Sequence, residues 1–419
     1  MAIAQATRRK ATVLGGRSPL AYVGYAALAA IVAAWTFRAL HDPVPYDTGS
    51  AYAAGLAAWK WGRPELVGTW TGMPFLAAGM ALVSRVISAQ TAGYVVTALN
   101  VLLTVGAIAF LLGAVRKLIS PIWWWVAAFA LVTFGPLLSS VWFKQFNVIA
   151  LVLAAAGFEL VRRRKTQAGA AAIGFSVALK PMVILLPFVL LLRPRTRRAG
   201  AIAIAWIAGL NIAAQGLIAL WAHRLATLNP LSGLNNYVHK TKPNLLLCLP
   251  VDFSPGSLLC RAVGGAQYWT LQRIVALCFV LLLGAWVICA LRGCSVLSWE
   301  VFAFTCALSA MVSSFEWTHY QVMLAPLFVL LLFRFAQEGA GIGAWLGLAA
   351  AFVLASLIWE PYGTLFGTVR RVLTGRTEPY NTLFGGPERT FQEGIAQFAQ
   401  YIAVATGILW YAGRRRVQG

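Results

Sequence analysis

Charged residues are scarce in this 419-residue chain, and acidic residues are the scarcest of them. Asp and Glu number 12 against 34 Lys and Arg, and charged residues together make up 11% of the sequence. A soluble globular chain carries about 25%. Hydrophobic residues make up 60%, and the mean hydropathy is +0.74. This composition excludes an ordinary soluble globular protein.

The chain also lacks closely paired cysteines. None of its six cysteines lies in a C-x-x-C motif, so a zinc ribbon is not expected. Cys248 and Cys260 share one predicted outside loop, and whether they form a disulfide stays open.

The formal charge of +22 does not indicate nucleic acid as a partner. The basic residues are concentrated in short clusters at the ends of apolar segments, as at 8–10, 162–165, 193–198 and 414–416. Such clusters are typical of the cytoplasmic ends of membrane-spanning helices. A nucleic-acid-binding protein would instead carry them on a soluble module.

Long apolar runs are present where charge is absent. Residues 20–37, 92–115 and 339–359 are uncharged or nearly so, and about 20 apolar residues cross the ~30 Å hydrocarbon core as a helix. The first run has no small-residue cleavage site directly after it and is predicted to be a retained span. The sequence therefore predicts an all-α polytopic membrane protein with about 10–13 transmembrane or re-entrant helices.

The excess of Lys and Arg on cytoplasmic ends predicts the topology. Residues 73–90 are short for a span and are expected to be re-entrant or interfacial. A helix break at Lys180-Pro181 would carry residues 168–192 out and back, because proline disrupts a helix interior. We expect one transmembrane domain over 20–413, cytoplasmic tails at 1–19 and 414–419, and outside loops at 38–72, 222–268 and 360–393.

This topology places all three aspartates and all four histidines on the outer side. Asp47 lies just past the first span, where a carboxylate would serve as a general base for a sugar hydroxyl. The alternative is a helix N-cap or an ordinary loop aspartate. Asp42 is an equal candidate by position.

Lysine at membrane depth is costly and should face a partner, so Lys180 is a candidate ligand of an anionic phosphate; the alternative is a lysine that snorkels to the interface. Lys144 is predicted to lie on the same side. Gln145 and Asn147 are candidates to bind sugar hydroxyls or to cap a helix. His319 beside Glu316, and His239 with Asn244, are further candidates; surface or packing roles are the alternative.

Several elements, in this order, resemble glycosyltransferase family 87 of the GT-C superfamily. An aspartate after the first span precedes a tyrosine (Asp47, Tyr52), and Lys-Gln-Phe-Asn begins a span at 144. An Ala/Gly-rich segment ends in Lys180-Pro181, and Ser-Ser-Phe-Glu-Trp-Thr-His-Tyr occupies 313–320. The resemblance covers about residues 20–415.

The resemblance implies a GT-C-like bundle with short periplasmic loops in the inner membrane and an active site on the outer face. It also implies a polyprenyl-phosphate-linked sugar donor, a glycan or glycolipid acceptor and Asp47 as the catalytic base. We expect no metal or other cofactor, because a monophosphate leaving group spreads less charge than a pyrophosphate and side-chain cations can stabilise it. The residues expected to bind donor phosphate are Lys180, His319 and Lys144, and those expected to bind sugar or acceptor are Gln145, Asn147, Tyr52, Glu316, His239 and Asn244.

This sequence departs from the family pattern at three places. Lys144 replaces the usual glycine before Gln, Trp-Thr-Gly-Met-Pro at 70–74 replaces Tyr-Pro-Pro, and Tyr320 replaces the second histidine of a pair. These changes bear on which sugar and acceptor are used. Mannose and arabinofuranose both stay open, as does the alternative class of a transporter or lipid flippase.

Overall fold

The computed structural model describes residues 19–67, 73–115, 119–223, 269–312, 318–356, 396 and 398–418. Within these ranges the regular structure is helical, with no strand. The α-helices are α1 (Pro19–His41), α2 (Tyr46–Trp61), α3 (Pro74–Val83), α4 (Ala89–Val115), α5 (Pro121–Val132), α6 (Gly135–Trp142), α7 (Asn147–Arg162), α8 (Thr166–Leu179), α9 (Leu185–Leu191), α10 (Pro194–Trp221), α11 (Trp269–Ala290), α12 (Trp299–Val312), α13 (Ala325–Glu338), α14 (Ile342–Ser356) and α15 (Phe398–Gln418).

Five helical segments among the described residues are long and apolar enough to cross a membrane. They are Ala21–Trp61, Ala89–Phe110, Pro121–Trp142, Pro194–Trp221 and Tyr320–Glu338. Large apolar side chains also cover the outer surface of α11, where Leu281, Leu282 and Trp286 are each more than 60% exposed. An apolar exterior of this kind suits lipid rather than water. The prediction of an all-α polytopic membrane protein is confirmed.

The predicted break at Lys180-Pro181 is confirmed. Helix α8 ends at Leu179, and Lys180 has an extended backbone with φ −154° and ψ 123°. A residue before proline avoids the helical region because the proline ring clashes with it. A 3-10 turn over Pro181–Val183 then leads into α9. Lys180 therefore leaves the helix, and its side chain projects from an irregular turn.

Two other segments differ from the prediction: one expected to be a loop contains a helix, and one expected to be a single helix is two. Segment 38–72, expected as an outside loop, contains α2, whose alanine-rich sequence has high helix propensity. The run 122–143 is two helices, α5 and α6, separated at Thr133 and Phe134. Pro136, in the first turn of α6, lacks the amide that a continuous helix would need.

A small apolar cluster lies beside these irregular turns. Ala51 of α2, Met80 of α3, Phe146 before α7 and Leu179 at the end of α8 are buried together. The cluster joins the ends of helices that are distant in sequence. It brings the first turn of α2, the α6–α7 turn and the end of α8 to one place.

Glycines lie at a close crossing of two helices, as is common where helices pack in lipid. Gly157 of α7 and Gly169 of α8 face each other: a Cβ on Gly157 would lie 2.7 Å from the Gly169 carbonyl oxygen, and one on Gly169 would lie 2.6 Å from the Gly157 oxygen. Since both obstructions are backbone atoms, neither helix can yield by a side-chain rotation.

We expect Gly157→Ala to lower the free energy of unfolding by about 1–3 kcal/mol, because the added methyl group overpacks this crossing. The midpoint of thermal unfolding in detergent measures the effect. Gly106→Ala is the matched control, since nothing lies within 4 Å of the position of its Cβ, and alanine favours a helix over glycine. Equal midpoints for the two variants would contradict the close crossing.

Candidate active site

Three irregular turns meet at a cluster of charged and polar side chains. Asp47 lies in the first turn of α2, Gln145 in the turn between α6 and α7, and Lys180 at the end of α8. Asp47 and Gln145 are 98 positions apart in sequence, and Gln145 and Lys180 are 35 apart. The fold therefore brings together three of the site residues predicted from the sequence.

The amide of Gln145 bridges the two charges. Its Nε2 donates to Oδ2 of Asp47, and its Oε1 accepts a hydrogen bond from Nζ of Lys180. The carboxylate can only accept and the ammonium can only donate, so this amide orientation satisfies both. Gln145 is fully buried, which fixes the bridge in place.

Asp47 and Lys180 also form an ion pair, with 3.9 Å between Oδ2 and Nζ. The Asp47 side chain keeps 43% of its surface exposed, whereas Lys180 keeps 14%. The ammonium lies over the ring of Tyr320, 4.7 Å from its centroid, which stabilises the cation further. The carboxylate is thus the more accessible member of the pair.

The surroundings of Asp42 differ from those of Asp47. The Asp42 carboxylate accepts hydrogen bonds from the Val44 amide at 3.0 Å, the Tyr46 hydroxyl at 2.8 Å and the Trp142 indole at 2.8 Å. These bonds hold the α1–α2 loop closed. Pro45 occupies the N-cap of α2, so Asp47 is not the N-cap residue. The geometry thus separates two aspartates that sequence position left equal.

Lys144 is buried, with 1% of its surface exposed. Its ammonium donates to the carbonyl oxygens of Asp42, at 2.7 Å, and of Val44. Its backbone has φ 52°, in the left-handed region that favours glycine. Its contacts therefore differ from those of Lys180, although both lysines were expected to bind phosphate.

Two further candidates lie at the edges of the cluster. Asn147 is the first residue of α7 and is fully buried; the N-cap is Phe146. The Tyr52 hydroxyl donates to the carbonyl oxygen of Ile87 at 2.9 Å, which ties α2 to the turn before α4. Tyr52 and Lys144 thus contact backbone, and Asn147 is enclosed by protein.

The structure does not describe the side chains of the remaining candidates. Glu316, His239, Asn244 and the Cys248 and Cys260 pair lie outside the described residues, as does the side chain of His319. The 3-10 segment Thr318–Leu324 packs against α6 and α7, and Tyr320 reaches Lys180 from it. Among the described residues, no group of three His, Cys, Asp or Glu side chains is arranged to hold a metal.

Sequence reasoning missed several residues that support the site. Asn100 of α4 donates to the Gln145 carbonyl oxygen at 2.7 Å, and Tyr46 and Trp142 fix Asp42. Tyr320 was noted only as a departure from a family pattern. The sequence does not indicate the Asn100 and Trp142 contacts, because they join residues 45 and 100 positions apart.

A comparison with protein-family models matches residues 70–314 to glycosyltransferase family 87, which is more than half of the 419 residues. The match includes Gln145 and Lys180; Asp47 and Tyr320 lie outside it. No curated protein and no solved structure matches the chain.

We expect Asp47 and Lys180 to be coupled in stability. Asp47→Asn, Lys180→Met and the double variant form a thermodynamic cycle, and unfolding in detergent measures each member. Because the pair is 3.9 Å apart and partly exposed, we expect a coupling of about 1 kcal/mol. Additive effects would contradict a direct interaction. Lys60→Met, at an exposed lysine on the same helix as Asp47, is the control and should combine additively with Asp47→Asn.

Proposed function

Because the chain belongs to glycosyltransferase family 87, we propose that it transfers a sugar from a polyprenyl-phosphate-linked donor to a hydroxyl of a cell-envelope glycan or glycolipid. Mannose or another hexose is the favoured sugar, and the outer face of the inner membrane is the proposed site of transfer. The observation that carries the proposal is the cluster of Asp47, Gln145 and Lys180. It supplies an accessible carboxylate and a cation within one polar site of an apolar helical bundle.

In the proposed reaction, Asp47 is the general base. An acceptor hydroxyl at Oδ1 or Oδ2 gives its proton to the carboxylate while its oxygen bonds to the anomeric carbon of the donor sugar. The bond from that carbon to the phosphate oxygen breaks, and its electron pair leaves with the polyprenyl phosphate. One displacement inverts the anomeric centre.

Lys180 is proposed to stabilise the departing phosphate. The unbranched lysine side chain can move its ammonium from Asp47 to a phosphate oxygen within a short reach. That movement would leave Asp47 with less positive charge beside it, and the carboxylate would become a better proton acceptor. Donor binding and activation of the base are thereby linked through one ammonium group.

The proposed roles of the other residues follow from their positions. Gln145 holds the carboxylate through its amide nitrogen and so orients the base. Asn147, Tyr52, His239, Asn244 and Glu316 stay proposed sugar or acceptor ligands, and His319 a second phosphate ligand. We do not propose Lys144 as a phosphate ligand, because its ammonium already donates to two carbonyl oxygens.

The length of α7 supports a site near one face of the membrane. Its 16 residues span about 24 Å, from the turn that holds Gln145 to the basic cluster at 162–165. Basic clusters mark the cytoplasmic side, so the polar cluster belongs near the opposite face. A lipid-linked donor reaches such a site from within the bilayer.

The proposal is tested by comparing Asp47→Asn with Asp42→Asn in membranes with matched expression. Radiolabelled polyprenyl-phosphate mannose and polyprenyl-phosphate arabinose are supplied separately. We expect one donor to be consumed by the unmodified protein, and Asp47→Asn to lower transfer by about 10²–10⁴-fold, because it removes the base. Asp42→Asn should retain transfer within about tenfold, since asparagine keeps one acceptor oxygen.

The outcomes separate the alternatives. Consumption of the arabinose donor alone would assign an arabinofuranosyltransferase. Equal losses in the two aspartate variants would contradict Asp47 as the base. If the unmodified protein transfers neither sugar but moves the lipid-linked donor across vesicle membranes, the chain is a flippase.

A further inference from the structure

Lys144 is a cation whose charge has no role in the proposed chemistry. It lies in the turn between α6 and α7, directly before Gln145, and is among the largest fully buried side chains of the described residues. Its φ of 52° is a conformation that glycine adopts more readily. Burial of the charge and the unfavourable backbone both act against lysine here, so its contacts must offset them.

The side chain of Lys144 fastens the loop that leads into α2. Its ammonium donates to the carbonyl oxygens of Asp42 and Val44. It also lies near the ring faces of Tyr46 and Tyr94, 5.6 Å and 5.9 Å from their centroids. An ammonium has three donors, and two of them are used by this loop.

Backbone carbonyl groups of the same turn hold the proposed base and the residue after it. The Thr48 hydroxyl donates to the Lys144 carbonyl oxygen at 2.6 Å. The Asp47 amide donates to the Phe143 carbonyl oxygen at 3.4 Å, which satisfies an amide that the first turn of a helix leaves without an internal partner. The α6–α7 turn thus forms hydrogen bonds to the chain before Asp47, to Asp47 itself and to the residue after it.

We propose that Lys144 is a positioning residue that fixes the first turn of α2, and hence the Asp47 carboxylate, against Gln145 and Lys180. It does this by cross-linking the α1–α2 loop to the α6–α7 turn, and it does not bind the donor phosphate. The consequence for catalysis rests on the proposed function, whereas the cross-link itself does not.

The first test does not use activity. Hydrogen–deuterium exchange of the full chain in detergent is compared between the unmodified protein, Lys144→Met and Lys60→Met. Methionine keeps the length of the side chain and removes its charge and donors, and Lys60 is an exposed lysine on α2. We expect faster exchange at the amides of Tyr46, Asp47 and Thr48 in Lys144→Met, and no change there in Lys60→Met. Unchanged exchange in Lys144→Met would overturn the proposal.

The second test uses transfer kinetics. A displaced carboxylate lowers the rate of the chemical step, so Lys144→Met should lower kcat by up to about 100-fold with little change in the KM for the donor. Lys180→Met should lower kcat and also raise the donor KM, because Lys180 is proposed to contact the phosphate of the bound donor and of the leaving group. A raised donor KM with unchanged kcat in Lys144→Met would show a phosphate ligand and overturn the proposal.

A second variant separates misfolding from mispositioning. Lys144→Gly suits the positive φ and removes the ammonium, so it should fold and accumulate normally. We expect it to show the same exchange and kcat defects as Lys144→Met; full activity in Lys144→Gly would overturn the proposal. If the unmodified protein transfers no sugar, the proposed function fails, but the exchange experiment still decides whether Lys144 holds the loop.

Discussion

Polar groups enclosed by apolar helices must find partners within the protein, and the cluster depends on this constraint. A continuous helix uses its own backbone groups internally and offers none to a buried charge. At Asp42–Val44, at Phe143–Lys144 and at Lys180, the chain leaves the helical conformation and exposes carbonyls, amides and polar side chains. The charged residues lie where these irregular turns converge.

The same constraint gives two similar lysines different contacts. Lys180 remains partly exposed and contacts a carboxylate, an amide oxygen and an aromatic ring, so it can exchange one partner for an incoming anion. Lys144 is enclosed and donates to backbone carbonyls, which cannot move away. The two lysines therefore differ in exposure and in the kind of partner that their ammonium groups contact.

Asp42 and Asp47 also differ in their hydrogen-bond partners. The Asp42 carboxylate accepts hydrogen bonds from three donors, in its own loop, in the first residue of α2 and in α6, and these bonds join the loop to both helices. Asp47 contacts the Gln145 amide and the Lys180 ammonium, and 43% of its side-chain surface is exposed. The match to glycosyltransferase family 87 begins at residue 70 and does not include Asp47, so the proposed role of Asp47 rests on the geometry of the cluster.

The sequence by itself determined the membrane class, the helical fold, the break at Lys180-Pro181 and the family, because run length, proline geometry and short motifs are local properties. It nominated Asp47, Gln145 and Lys180, but it left Asp42 equal to Asp47 and gave Lys144 the same role as Lys180. Only the tertiary structure distinguished the surroundings of the two aspartates and of the two lysines, and revealed the contacts of Tyr320, Asn100 and Trp142. The reason is physical: a side chain's partners, many of them dozens to about 100 positions away, determine whether it is accessible or already bound.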